Sequence, residues 1–212
     1  MHKSILHKSK FLWLLDPGHG GIINGEYQTP GKRSPIWPDG RQLFEGEFNR
    51  SIVKRLVNHL TCAEIDFVNL VNTEKDISLG TRVKNANKIY SSDKRALYLS
   101  IHANAGGGTG WELFTSKGQT RSDLLATIFF NAMNKEFPNM KFRTDYSDGD
   151  PDKEANYYVL KKTWMPAVLT ENFFMDTLNP DCKLIMSEEG RDRIAQAHFN
   201  AILDAEENGI NF

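Results

Sequence analysis

Phe11-Leu12-Trp13-Leu14-Leu15-Asp16-Pro17-Gly18-His19-Gly20-Gly21 is the stretch on which the reading of this chain turns. The apolar run from Phe11 to Leu15 reads as a buried strand, and it stops in a turn signal that carries one histidine. Pro17 cannot extend a sheet ladder, and the three glycines let the backbone turn tightly beside His19. An imidazole at the C-terminal end of a buried strand stands where open α/β sheets place their ligands.

A second stretch repeats the arrangement. Ala96-Leu97-Tyr98-Leu99-Ser100-Ile101-His102-Ala103-Asn104-Ala105 is another apolar strand ending in a histidine, followed by Gly106-Gly107-Gly108. Two such strands in one sheet can bring both imidazoles to one rim. Zinc takes nitrogen ligands of this kind, often with a carboxylate as the third and an open fourth position.

With these residues in view, the sequence resembles the zinc-dependent N-acetylmuramoyl-L-alanine amidases of the Amidase_3 type. Four pieces carry the resemblance, in the family's order and over most of the chain. They are Asp16-Pro17-Gly18-His19-Gly20-Gly21, Glu45-Gly46-Glu47-Phe48-Asn49, Ser100-Ile101-His102-Ala103-Asn104-Ala105, and Pro166-Ala167-Val168-Leu169-Thr170-Glu171-Asn172-Phe173-Phe174. The resemblance implies an α/β fold, a single-domain twisted, mostly parallel sheet flanked by helices on both faces. It also implies cleavage of the amide between the muramic-acid lactyl group and L-alanine in peptidoglycan.

Composition sets the outer bounds. A chain of 212 residues with 40% hydrophobic and 25% charged residues can build one domain with a full core, expected over residues 1–212. A net charge of −1 leaves no electrostatic footprint for nucleic acid or an anionic membrane. Cys62 and Cys182 are too few for a disulfide framework, lack metal-site spacing, and read as buried free thiols. Residues 1–10 form a basic tail, but the apolar run that follows is too short for a signal peptide, and cleavage there would destroy the site. No run approaches the roughly 18 apolar residues of a membrane span. The expectation is a monomer made in the cytoplasm without a signal peptide, acting on the cell wall after release. The absent export signal and wall-binding module favour a phage endolysin over a bacterial remodelling enzyme, without deciding between them.

Two long loops interrupt the elements. Residues 22–44 are rich in Gly and Pro, and there Tyr27, Ile36 and Trp37 either line a glycan groove or anchor the loop. Residues 138–156 carry Asp145, Asp148, Asp150, Asp152 and Glu154. Their spacing fails the EF-hand template, so the loop reads as solvated and acidic, at the mouth of the groove. Between the loops, apolar periodicity predicts helices over 48–61, 78–90 (capped by Ser78) and 121–137, and a closing helix over 187–208. Strands are predicted over 65–71, 111–115, 157–160 and 165–170. His59 and His198 fall within helices and read as packed or solvated.

The resemblance places the carboxylate ligand at the start of the first helix, where Glu45 and Glu47 compete. On a helix turning about 100° per residue, Glu45 lies near the centre of the apolar stripe and Glu47 almost opposite. Glu45 is therefore chosen, giving His19, Glu45 and His102 as zinc ligands. Amide hydrolysis also needs a base for the attacking water and an acid for the leaving amine. Glu171, at the end of a strand and matching the family's catalytic glutamate, is expected to be both. Asp16 is a candidate to orient a ligand imidazole, and Arg82, matching a family arginine, reads as structural. No Gly-x-Ser-x-Gly elbow or His-Glu-x-x-His helix offers another chemistry. The alternative is a wall-binding or regulatory domain that keeps the fold without cutting.

Overall fold

Alternate residues of a strand face opposite sides, and in β1 (Leu12–Pro17) both sides are apolar. Trp13 and Leu15 enter one hydrophobic cluster and Leu14 the other. β5 (Ala96–Asn104) does the same, with Leu97, Leu99 and Ile101 on one side and Ala96 and Tyr98 on the other. Strands of this kind must be covered twice. The computed structural model, which describes residues 9–210, shows both covers. Most of the expected 1–10 tail lies outside the described residues.

The other strands are a hairpin of β2 (Ile22–Ile23) and β3 (Glu26–Tyr27), then β4 (Phe67–Asn69), β6 (Glu112–Thr115), β7 (Lys153–Glu154) and β8 (Ala167–Phe174). The main sheet has six strands in the order β4-β1-β5-β8-β6-β7. β4, β1, β5 and β8 run parallel, whereas β6 is antiparallel to β8. The larger cluster lies under α1 (Glu45–Cys62), α3 (Arg121–Glu136) and α6 (Glu188–Asn208). The smaller lies under α2 (Leu79–Ser92) and α4 (Tyr158–Lys162). A short α5 (Lys183–Met186) leads into α6. The mostly parallel sheet with helices on both faces is thus the observed fold.

Several local expectations change. Residues 157–160 are not a strand. Val159 and Leu160 are buried together behind exposed Tyr157 and Tyr158, and Lys161 N–H donates to Tyr157 O at 2.9 Å, closing the turn of α4. β4 is shorter than 65–71 because Asn69 Oδ1 accepts from Val71 N–H (3.1 Å) and turns the chain. β8 runs on past residue 170, since Glu112 of β6 pairs with Glu171. Cys182 is buried as expected, but Cys62, at the end of α1, is exposed. The acidic loop is not wholly solvated. Asp152 is buried, and Thr115 Oγ1 donates to its Oδ2 at 2.6 Å. No helix of the described residues is long and apolar enough to cross a membrane.

Candidate active site

The C-terminal ends of β1 and β5 lie side by side, with Pro17 in register with Ile101. Beyond Pro17 the chain must turn within van der Waals reach of the His102 ring. A Cβ on Gly18 would fall 2.1 Å from His102 Cε1, so only glycine fits there. His19 follows with φ of 63°, a left-handed conformation uncommon outside glycine, which Asn, Asp and His enter more often than other residues. Its neighbours hold it. Arg82 Nη2 donates to His19 O at 3.0 Å, Asn49 Nδ2 to Gly18 O at 3.1 Å, and Gly20 N–H to Thr29 Oγ1 at 2.8 Å. Strain concentrated at one residue and fixed by several partners is a mark of functional turns.

α1 begins at Glu45, three residues before the predicted start. Its first turn presses on the histidine loop, because a Cβ on Gly46 would meet Gly20 O at 1.9 Å. That close approach carries Glu45 inward. Glu45 Oε1 lies 3.1 Å from His19 Nε2 and 3.0 Å from His102 Nδ1, and Ala103 N–H donates to it at 3.4 Å. The carboxylate is 2% exposed, and the two imidazoles meet edge to face with centroids 5.0 Å apart. Glu47 leaves in the opposite direction and pairs with Arg191.

One oxygen and two nitrogens therefore converge, with all three ligand atoms within 4.8 Å of one another. Bonds of about 2.1 Å from a tetrahedral centre put ligand atoms about 3.4 Å apart. Small adjustments from the 3.0–3.1 Å contacts reach that spacing. The donor set fits a zinc ion. Burial by itself would raise the Glu45 carboxyl, but hydrogen bonds with His102 and His19 and their charge outweigh it and hold it far below its ordinary range. Burial disfavours a charged His102, yet the hydrogen bond and charge of Glu45 raise its pKa.

Three glutamates stand at this rim, in three different states. Glu45 faces the imidazoles. Glu112 takes Arg143 Nε at 2.9 Å, Lys153 Nζ and Asn104 Nδ2, and these partners lower its pKa against the opposing effect of burial. Glu171, in register with His102 on one side and Glu112 on the other, has a buried Oε2 with no hydrogen-bond partner. Burial pushes its carboxyl up to about 8; His102 and Lys32 oppose this, while Glu45 and Glu112 add to it.

Asp16 does not reach a ligand imidazole. It pairs with Arg82 Nη1 and accepts from Tyr98 Oη and, at 3.3 Å, Ser100 Oγ. Its influence on His19 passes through Arg82, which also donates to Pro17 O (2.7 Å) and, from Nε, to Ile77 O (2.8 Å). The structural reading of Arg82 fits these contacts. Of the three loop residues, Tyr27 accepts from Gly46 N–H at 2.9 Å and packs at a tilt against Phe44, and Trp37 Nε1 donates to Cys182 Sγ at 3.3 Å. Both anchor the loop, and Ile36 is 70% exposed. His59 stacks on Phe199, and His198 is buried under α3, so both lie away from the site.

The rim opens into a cleft of about 730 Å³ that Lys32, Leu79, Asn104, Tyr157 and Tyr158 also line. Sequence reasoning missed the two tyrosines by reading residues 157–160 as a strand. It missed Lys32 because only the fold shows that this residue's carbonyl receives the Glu45 N–H, at 3.0 Å.

A three-layer α/β domain with a His–Glu–His donor set and an unpaired glutamate at the C-terminal rim of its parallel strands defines the class, a candidate metal-dependent hydrolase. The N-acetylmuramoyl-L-alanine amidase family, Amidase_3, matches residues 14–204, and the chain belongs to that family. N-acetylmuramoyl-L-alanine amidase CwlM of Bacillus licheniformis is 32% identical over 193 residues, covering 90% of this chain and 67% of its own. The endolysin of Bacillus phage SPP1 is 29% identical over 208 residues, covering 92% of this chain and 66% of its own. The chain thus spans about two thirds of each relative's length. Among solved structures, an N-acetylmuramoyl-L-alanine amidase from Clostridium difficile 630 superposes with a TM-score of 0.73 at 26% identity, over 93% of this chain and 97% of that one.

Proposed function

We propose that this chain is the catalytic domain of a zinc-dependent N-acetylmuramoyl-L-alanine amidase that cuts the lactyl–L-alanine amide of peptidoglycan. The observation that carries the proposal is the contrast between Glu45, gripped by two imidazoles, and half-buried Glu171 beside them, whose Oε2 is buried without a hydrogen bond. His19, Glu45 and His102 hold the metal. Zinc bound there supplies a Lewis acid that polarises the scissile carbonyl, activates water near neutral pH and, by its charge, draws Glu171 toward its ionised form.

Glu171 accepts the proton of the attacking water and returns it to the amine nitrogen as the amide bond breaks. Its Oε2 is free to do so because it carries no hydrogen bond, whereas Arg143 and Lys153 are bound to the neighbouring Glu112. Arg82 and Asn49 keep the His19 loop in its left-handed turn, so the ligands need no reorganisation when substrate enters. Peptidoglycan enters through the cleft, where Tyr157 and Tyr158 offer aromatic faces and Lys32 a positive charge. The amidase names of the relatives support this substrate, and the endolysin among them supports a role in wall lysis.

The test combines metal analysis with mass spectrometry of fragments released from purified peptidoglycan. The proposal expects about one zinc per chain and new L-alanine amino termini. Zinc-loaded protein that binds the wall but releases no such peptides would support the binding-domain alternative.

A further inference from the structure

At the Thr115 end of β6, three carboxylates meet. Asp123 comes from the first turn of α3, and Asp150 and Asp152 come from the loop before β7. One oxygen of each lies within 4.8 Å of the others. Two bonds of about 2.4 Å to a shared calcium ion can span at most that separation. Asp123 Oδ2 accepts from Thr120 N–H, closing the capping box of α3, and Asp150 Oδ1 accepts from Asp152 N–H at 3.3 Å. Asp152 is 2% exposed; its Oδ2 is taken by Thr115 Oγ1, its Oδ1 is buried with no donor, and its carboxyl lies beside that of Asp150. No Lys, Arg or His nitrogen among the described residues pairs with any of the three.

Carboxylates packed this closely, two of them buried and none paired with a basic side chain, need either shared protons or a cation. Burial, and then Asp150, pushes the Asp152 carboxyl up to about 8, against the opposing hydrogen bond of Thr115, so the strain falls on the same group that has the unpaired oxygen. We propose that Asp123, Asp150 and Asp152 bind a hard divalent cation of the calcium class, which ties the loop over 143–152 to the first turn of α3. The ligands are all oxygen, as such ions require, and solvent at half-buried Asp150 leaves room for waters to complete the coordination. The ion is structural, because the cluster is built on the end of β6 opposite to Glu112 and the cleft. The proposal is independent of the amidase reading.

Calorimetric titration of CaCl₂ into zinc-saturated, calcium-stripped protein tests it, together with thermal unfolding at fixed zinc. One calcium per chain should bind with a Kd of about 10⁻⁵–10⁻³ M, and 1 mM calcium should raise Tm by about 1 °C at the weak end of that range and about 5–10 °C at the tight end. Asp150→Asn, at the half-buried position, should fold normally and lose at least about tenfold in calcium affinity, with the Tm response shrinking to match. Asp152→Asn should lose calcium binding and, without calcium, melt no lower than the unsubstituted protein, because one buried negative charge is gone. Absence of saturable binding up to about 10 mM calcium would overturn the site in favour of a shared proton. Undiminished binding in both variants would do the same.

Discussion

Glu47 and Arg191 form a two-pronged ion pair, with Oε1 and Oε2 at 2.8 and 2.9 Å from the two terminal guanidinium nitrogens. The pair joins the first turn of α1 to α6 and holds Glu47 against Arg191. Glu45, two residues earlier, turns to the imidazoles. Because α1 begins at Glu45, the angular argument that separates the two glutamates applies to both.

Glu45→Gln is accordingly expected to cost most of the bound zinc, since a neutral amide replaces a buried anionic ligand. Glu47→Gln should retain it. Glu47 is 41% exposed, so loss of its bridge should lower stability by no more than about 1 kcal/mol. Zinc content after gel filtration separates the two, and metal loss confined to Glu47→Gln would reverse the assignment.

Glu171→Gln should keep zinc and fold, because none of the three proposed ligands is touched. The loss should appear in proton transfer, as a fall of about 10²- to 10⁴-fold in kcat with little change in KM. Peptide release and zinc content are to be measured on the same preparation. Full activity would remove Glu171 from the mechanism, and zinc loss without unfolding would make it a ligand.

The parallel core was legible because β1 and β5 are apolar on both faces, a pattern that fixes burial without any tertiary information. The meeting of the two histidines was legible because His19 follows β1 and His102 lies near the end of β5, and such strands place their C-terminal ends at one rim when they pair in parallel. Residues 157–160 were not, since four residues containing Tyr157, Tyr158, Val159 and Leu160 satisfy a strand pattern as readily as a helical turn. Asp16 was misplaced for a different reason. Its partners Arg82, Tyr98 and Ser100 lie 66 to 84 residues away, and only the fold shows that they reach it first. The burial of Asp152 escaped notice because a run of alternating aspartates looks solvated until Thr115 is set beside it.

Arg82 is predicted to matter for stability and for the shape of the His19 turn together. It is 2% exposed, paired with Asp16 at 1%, and its side chain donates to three backbone carbonyls. Arg82→Met strands the Asp16 carboxylate and should lower unfolding free energy by about 3–5 kcal/mol. Arg82→Lys should rescue little, because one ammonium cannot reproduce the guanidinium fork. Zinc affinity should weaken in both, as His19 O loses its donor. Urea unfolding of the zinc-loaded proteins checks the first point; a loss below about 1 kcal/mol would contradict the burial argument.

His198 gives the fold an acid-side weakness that is separate from the cleft. Its Nδ1–H donates to Ile194 O at 2.8 Å, and its Nε2 accepts from Thr170 Oγ1 at 3.1 Å, so the ring is held neutral. Burial lowers its pKa from 6.5 to about 4, with the Ile194 carbonyl opposing only in part. The edge of Phe129 covers the ring and adds no compensating charge. Because the folded pKa is depressed, the unfolded chain binds the extra proton first. This contribution is therefore complete above pH 6.5 and is lost as pH falls toward about 4, by about 3 kcal/mol in all. His198→Gln keeps a donor and an acceptor but cannot titrate. It should be less stable than the unsubstituted protein at pH 7.5 and lose less stability between pH 7 and pH 4.5. Denaturant unfolding of both proteins across that interval, at saturating zinc, reads the difference in slope directly. Parallel profiles would mean that His198 titrates alike in the folded and unfolded chains, so that burial does not depress its pKa.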